Sequence, residues 1–179
     1  MDTYKLKFTR LQNEILRFLF IKSGRSFNQR ALARALKVSP TAIAKALEEL
    51  EKDGLVNIDK DTNHLSIELN TQNPDIFWMK RAENLKLLHE SGLVGYLSEQ
   101  FPGGTIILFG SYAFGEDTVK SDIDIAIIGC NEKNLPIVKF EEILERTIVI
   151  QYYRDLSAID RNLRSSILNG IILHGAVEI

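Results

Sequence analysis

Two aspartates, Asp122 and Asp124, stand two positions apart in a run otherwise made of Ile123, Ile125, Ala126 and Ile127. Ahead of them lies a Gly110-Ser111 step, led in by the apolar stretch Thr105-Ile106-Ile107-Leu108-Phe109. In a strand, residues i and i+2 share a face and sit roughly 6.5–7 Å apart. That spacing aims both carboxylates at one spot and turns Ile123 and Ile125 toward the core. Aspartate is depleted in strands, so two of them there need a reason. Two hard anionic ligands beside a turn that can approach phosphate make a site for a divalent cation and a nucleotide. Gly110 lets the main chain come close to a phosphate. Ser111 offers a hydroxyl and an N–H, more so if it opens a helix. Lys120, in the loop between, can steady a phosphate, while Glu116 and Asp117 read as loop acids with a minor claim on the metal.

Further elements must hold this constellation. Residues 79–101 read as one or two helices, with Leu85, Leu87, Leu88, Leu93, Val94, Tyr96 and Leu97 apolar, ended by Pro102-Gly103-Gly104. Beyond the aspartates, the pattern predicts a helix over 140–144, a strand over 147–152, a helix over 160–168 closed by Asn169-Gly170, and a short strand over 171–175.

The first part of the chain is patterned differently. Leu11, Ile15, Leu16, Phe18, Leu19 and Phe20 recur at helical spacing and stop near Ser23-Gly24. Residues 27–36 suit a second helix with Ser26 as N-cap. Ser39 caps a third, with Pro40 at its first position and Gly54 after its end. Residues 55–58 and 64–69 then alternate as two strands about the turn 59–63. Thr71-Gln72-Asn73-Pro74-Asp75 is the linker candidate, giving domains 1–72 and 73–179. Trp78 is expected to be a packing anchor between them.

The chain has 179 residues, enough for two small domains, with 45% apolar and 26% charged side chains, as in soluble globular proteins. No apolar run approaches a membrane span, the N-terminus has no signal-peptide core, and the one cysteine, Cys130, has no partner for a disulfide. A cytoplasmic protein without a membrane partner is expected. Net charge is −2, unevenly spread. Residues 1–50 hold ten basic and four acidic side chains, a net of +6, which leaves −8 for the rest. A basic segment on an acidic body points to a polyanion partner for that segment.

The segment GSYAFGEDTVKSDIDIAI, Gly110 to Ile127, resembles the signature of the nucleotidyltransferase superfamily typified by DNA polymerase β, and within it the minimal nucleotidyltransferases. The helix, helix, turn, helix and hairpin order of the first part resembles a winged helix-turn-helix. The fold so implied is α+β: an N-terminal winged helix-turn-helix followed by a polymerase-β-like nucleotidyltransferase α/β domain with a small mixed sheet. The resemblance implies transfer of a nucleoside monophosphate from a nucleoside triphosphate to an acceptor, with Asp122 and Asp124 as catalytic metal ligands for Mg²⁺ or Mn²⁺ and Gly110, Ser111 and Lys120 on the nucleotide. It also implies double-stranded DNA at Arg30, Arg34, Ser39, Thr41 and Lys45, although the wing's only basic residue is Lys60. A homodimer is expected by the same analogy.

The family also needs a third carboxylate on the neighbouring strand. The position that corresponds is Val149, which cannot ligate a metal. Gln151 and Glu145 are weaker substitutes. Three readings stay open: a nucleotidyltransferase with a displaced third ligand, a weak or inactive nucleotide-binding transcriptional regulator, and an antitoxin-like partner of a helical, toxin-like protein that is itself a possible acceptor.

Overall fold

A computed structural model describes residues 7–61 and 64–177. Thr62 and Asn63 of the expected wing turn lie outside the described residues, as do the side chains of Lys60, Asp61 and His64. The chain divides into two compact units, 1–76 and 77–179.

The first unit opens with α1 (Arg10–Ile21). Thr9 caps it reciprocally: its hydroxyl accepts from the Gln12 N–H, and the Gln12 side chain accepts from the Thr9 N–H at 2.7 Å. Next comes α2 (Gln29–Leu36), which starts two residues later than expected. Its N-cap is Asn28, not Ser26, with Oδ1 accepting from the Ala31 N–H at 2.8 Å. Phe27 is taken by another element: its N–H and C=O both pair with Ile67, at 2.9 and 2.8 Å, so it extends the hairpin as an isolated bridge. Its ring meets Phe18 edge-on at 5.0 Å.

Helix α3 (Pro40–Lys52) begins as its sequence predicts, with Ser39 Oγ accepting from the Ala42 N–H at 3.2 Å and Pro40 in the first turn. The Gln29 amide donates to the Pro40 carbonyl and ties α2 to the start of α3. Strands β1 (Val56–Asp61) and β2 (His64–Leu69) pair antiparallel from Val56–Leu69 to Asp61–His64. Strand β1 therefore runs three residues further than expected, and β2 keeps its expected range. Leu16, Leu19, Leu32, Ile43, Leu47 and Ile67 form the buried centre.

Two helices follow, α4 (Asp75–Glu90) and α5 (Leu93–Gln100). They lead into β3 (Thr105–Phe109), α6 (Gly110–Phe114), β4 (Ile123–Ile128), α7 (Val138–Leu144), β5 (Ile148–Tyr153), α8 (Arg161–Leu168) and β6 (Ile171–His174). A single 3-10 turn, Leu156–Ala158, precedes α8 and had no signal in the pattern. The sheet order is β5-β4-β3-β6, with β4 and β5 parallel and the other pairs antiparallel. Both faces of this mixed sheet are covered. Ile106, Leu108, Ile123, Ile125 and Ile127 pack with Leu97 and Phe140. Ile107, Phe109 and Ala126 pack with Ile159 and Ile167. Strands buried on both sides read as continuous apolar runs, which is how β3 and β4 appear in the sequence.

Candidate metal and nucleotide site

The site grows from the junction of β3 and α6. The strand ends at Phe109, and Gly110 turns the chain with φ +72°, a left-handed conformation that a side chain disfavours. A β-carbon on Gly110 would stand 2.5 Å from Asp124 Oδ2. The glycine is thus required twice, by the turn and by the carboxylate beside it. Ser111 follows in the first turn of α6 and is half-buried. Gly115, with φ +76°, ends the helix and packs directly on the α4 backbone at Phe77 and Arg81, where no β-carbon fits.

Asp122 lies one residue before β4, not within it, and is exposed. Asp124 is half-buried on β4 and opposite Phe109 in the register. Burial, helped by the neighbouring Asp122 charge, raises the Asp124 carboxyl above the ordinary carboxylate range. Ile123 and Ile125 are buried, as the i, i+2 reading requires. Among the described residues no cation pairs with either aspartate. Lys120 is exposed and lines a cavity of about 560 Å³ together with Ser121, Asp122, Glu145 and Arg146.

The third-ligand position is equally plain. β4 and β5 pair in parallel with Asp124 opposite Val149. Gln151 pairs with Ala126, one full side-chain repeat further from the site, and its Oε1 accepts the Tyr153 hydroxyl at 2.5 Å. Glu145 is exposed and closes α7 in a left-handed conformation, φ +52°. Among the described residues no group of three or more His, Cys, Asp or Glu side chains is placed to hold a metal.

Asp117 is not the solvated loop acid expected from its neighbours. It is 1% exposed. Its carboxylate pairs with Lys80, itself 1% exposed, and accepts from Asn84 Nδ2 at 2.8 Å and Arg146 Nη2 at 3.3 Å. Lys80 Nζ also donates to the Asp117 carbonyl at 2.7 Å, and Asn84 Nδ2 to the Tyr112 carbonyl at 3.0 Å. Burial lowers the Lys80 ammonium from the ordinary lysine range against the pull of Asp117. Burial first, then Asp117, raises the Tyr112 phenol. Donors thus reach both oxygens of Asp117, and its charge is balanced within this buried network. Sequence reasoning missed all of these roles. The available signal was Lys80, Asn84 and Leu88 at four-residue spacing, a buried helix stripe with two polar members.

In the first unit Arg30, Arg34, Ser39, Thr41 and Lys45 are all exposed. Ser39 Oγ is already engaged as the cap of α3, and only its hydroxyl hydrogen remains to donate. Trp78, expected as a packing anchor, is 66% exposed, with the Arg81 guanidinium 5.7 Å from its ring.

Residues 91–166 match the nucleotidyltransferase domain family, and residues 11–64 match an HTH domain family. The chain joins a nucleotidyltransferase domain to an N-terminal HTH domain. The nucleotidyltransferase match takes in the Gly110-Ser111 turn, both aspartates and the β5 position of Val149. No curated protein matches the chain. Among solved structures, wild-type ZitR of Lactococcus lactis in complex with DNA is 24% identical, the match covering 56% of this chain and 67% of that one, with a TM-score of 0.39. AdcR, the adhesin competence repressor of Streptococcus pyogenes, is 26% identical, covering 53% and 69%, also with a TM-score of 0.39. Likenesses this distant carry no argument about function. Among the described residues no helix is long and apolar enough to cross a membrane.

Proposed function

We propose that the C-terminal domain binds a nucleoside triphosphate with a divalent cation and transfers its nucleoside monophosphate, and that the HTH domain binds double-stranded DNA. The observation that carries the first part is the Asp124 carboxylate seated against Gly110, its proton affinity raised by burial and then by the Asp122 charge. Two like charges held together without a cationic partner among the described residues favour a doubly charged ion between them. Their all-oxygen donor set suits Mg²⁺ or Mn²⁺. It fits one ion shared with phosphate oxygens and falls short of a three-carboxylate set.

When bound, the cation supplies charge neutralisation and polarisation of the phosphate. The chain's own groups then bind and orient. Gly110 offers its bare backbone to the triphosphate. Ser111 donates its hydroxyl and N–H to a phosphate oxygen, and Lys120 adds a positive charge at the cavity mouth. In transfer, an acceptor oxygen would form a bond to the α-phosphorus as the bond from that phosphorus to the α–β bridging oxygen breaks, pyrophosphate would leave, and the acceptor's proton would pass to solvent. Val149 offers no base for the acceptor's proton.

That valine favours a second reading, in which nucleotide occupancy regulates DNA binding and turnover is weak or absent. DNA contact is proposed for α3 through Thr41, Lys45 and the Ser39 hydroxyl, with Arg30 and Arg34 on α2 meeting phosphates. A homodimer would set two such helices on successive half-sites, and both partners are at hand in the cytoplasm. Calorimetric titration of Mg²⁺ with ATP, GTP, CTP and UTP tests the shared core of both readings. Binding by the wild type and none by Asp122→Asn/Asp124→Asn is expected. Equal behaviour of the two proteins overturns the site. Label transfer from a binding nucleotide, scored against a DNA shift that responds to it, separates the two readings.

A further inference from the structure

The segment from Gly115 to Ser121 joins the nucleotide turn to the aspartates. It is polar, and a free loop of this kind samples many conformations. Its own bonds tie Glu116 N–H to the Ser111 carbonyl at 2.9 Å and fold residues 118–121 into a turn, with Thr118 N–H to Ser121 Oγ at 3.0 Å, Ser121 N–H to the Thr118 carbonyl at 3.0 Å and Lys120 N–H to Thr118 Oγ1 at 3.3 Å. None of these bonds ties the turn to the helices around it; Asp117 does, and Lys80 and Asn84 of α4 and Arg146 after α7 converge on it.

The Asn84 bond pattern joins both flanks of the site. One amide nitrogen donates to Tyr112 in α6, the helix that Gly110 and Ser111 open, and to Asp117 in the loop that ends at Asp122. Arg146, buried against Asp117, also lines the cavity shared by Lys120 and Asp122. An apolar cluster would fill the same space without the risk of burying charge, so a staple for stability alone is a poor account of four polar side chains.

We propose that Lys80, Asn84 and Arg146 are positioning residues that act through Asp117 to hold the loop between Ser111 and Asp122 in its binding shape before a metal–nucleotide arrives. This rests on the reading of Asp122 and Asp124 given above. It assigns the site's preorganisation to α4 and to the α7–β5 turn, neither of which carries a proposed ligand-binding group on the metal.

The test uses the full chain as wild type, Asn84→Leu, and Leu97→Ala as a core variant on α5. Melting is followed first, and all other measurements are made where each protein is folded. Asn84→Leu is expected to bind Mg-ATP at least tenfold more weakly. Its amides at Glu116, Thr118 and Ser121 are expected to exchange at least tenfold faster. Leu97→Ala is expected to lose melting temperature while keeping wild-type affinity and loop protection. Should Asn84→Leu not fold, Arg146→Lys makes the same comparison, because it keeps the charge and loses the Nη2 donor. Wild-type affinity and wild-type loop exchange in the variant overturn the proposal. Equal losses in Leu97→Ala overturn it as well, since they reduce the network to general stability. If the wild type itself does not bind Mg-ATP, the metal–nucleotide reading fails, and loop exchange without ligand still decides whether these residues hold the loop.

Discussion

Lys80 Nζ donates to both the carbonyl and the carboxylate of Asp117, a residue 37 positions along the chain, and neither side chain is more than 1% exposed. Breaking such a pair by removing one partner leaves an uncompensated buried charge, at a cost of about 3–5 kcal/mol. Asp117→Asn leaves both Lys80 and Arg146 without their counter-charge and is expected to reach that range. Lys80→Met leaves the Arg146–Asp117 pair and should cost less. Urea unfolding of the C-terminal unit checks the order, and equal small losses for both would contradict it.

Gly110→Ala places a methyl group 2.5 Å from Asp124 Oδ2 at φ +72°. The left-handed backbone alone costs about 1–2 kcal/mol for an alanine. The larger effect is expected on the site, because Asp124 must move. Mg-ATP affinity should fall at least tenfold in calorimetry while the N-terminal unit unfolds as before.

The Asp124 carboxyl sits above its ordinary value of 3.8, through burial and Asp122. A carboxyl with a raised folded-state pKa binds its proton more tightly when folded. Its contribution to stability is therefore largest in acid and is lost as pH climbs from the ordinary value through the raised one. Metal binding runs the opposite way, since the proton competes with the cation. Mn²⁺ affinity is expected to rise with pH across that window, and Asp124→Asn should flatten the profile. A wild-type profile that is itself flat would remove Asp124 from the metal site.

Val149 faces Asp124 across parallel strands. Val149→Asp restores a carboxylate at that register and adds a third negative charge to the pair. Mn²⁺ binding is expected to tighten by about tenfold or more, and the apo protein to lose stability from crowding of like charge. Unchanged Mn²⁺ affinity would show that β5 does not face the bound ion.

Lys45 is exposed on α3 and free of the cap that occupies Ser39. If it meets a phosphate, Lys45→Ala weakens duplex binding uniformly across sequences and lowers the salt slope by about 1. Fluorescence anisotropy at several salt concentrations measures this. Ser39→Ala is expected to cost the N-terminal unit about 1 kcal/mol through loss of the cap.

Local chemistry determined much of this protein from the sequence alone. Ser39 and Pro40 start a helix, Ile123 and Ile125 face a core, and the Gly110-Ser111 step with Asp122 and Asp124 marks the proposed site, because each depends on near neighbours. The absence of a third acid was legible too, since strand pairing merely set Val149 beside Asp124. Tertiary structure decided what depended on distant partners. Phe27 left α2 because Ile67, forty residues on, offered both of its backbone bonds. Asp117 looked solvated beside Glu116 and became buried because Lys80, Asn84 and Arg146 arrived from two other elements to satisfy it. A charge is bearable in a core only when its partners are there, and no local pattern records partners that the fold brings from far along the chain.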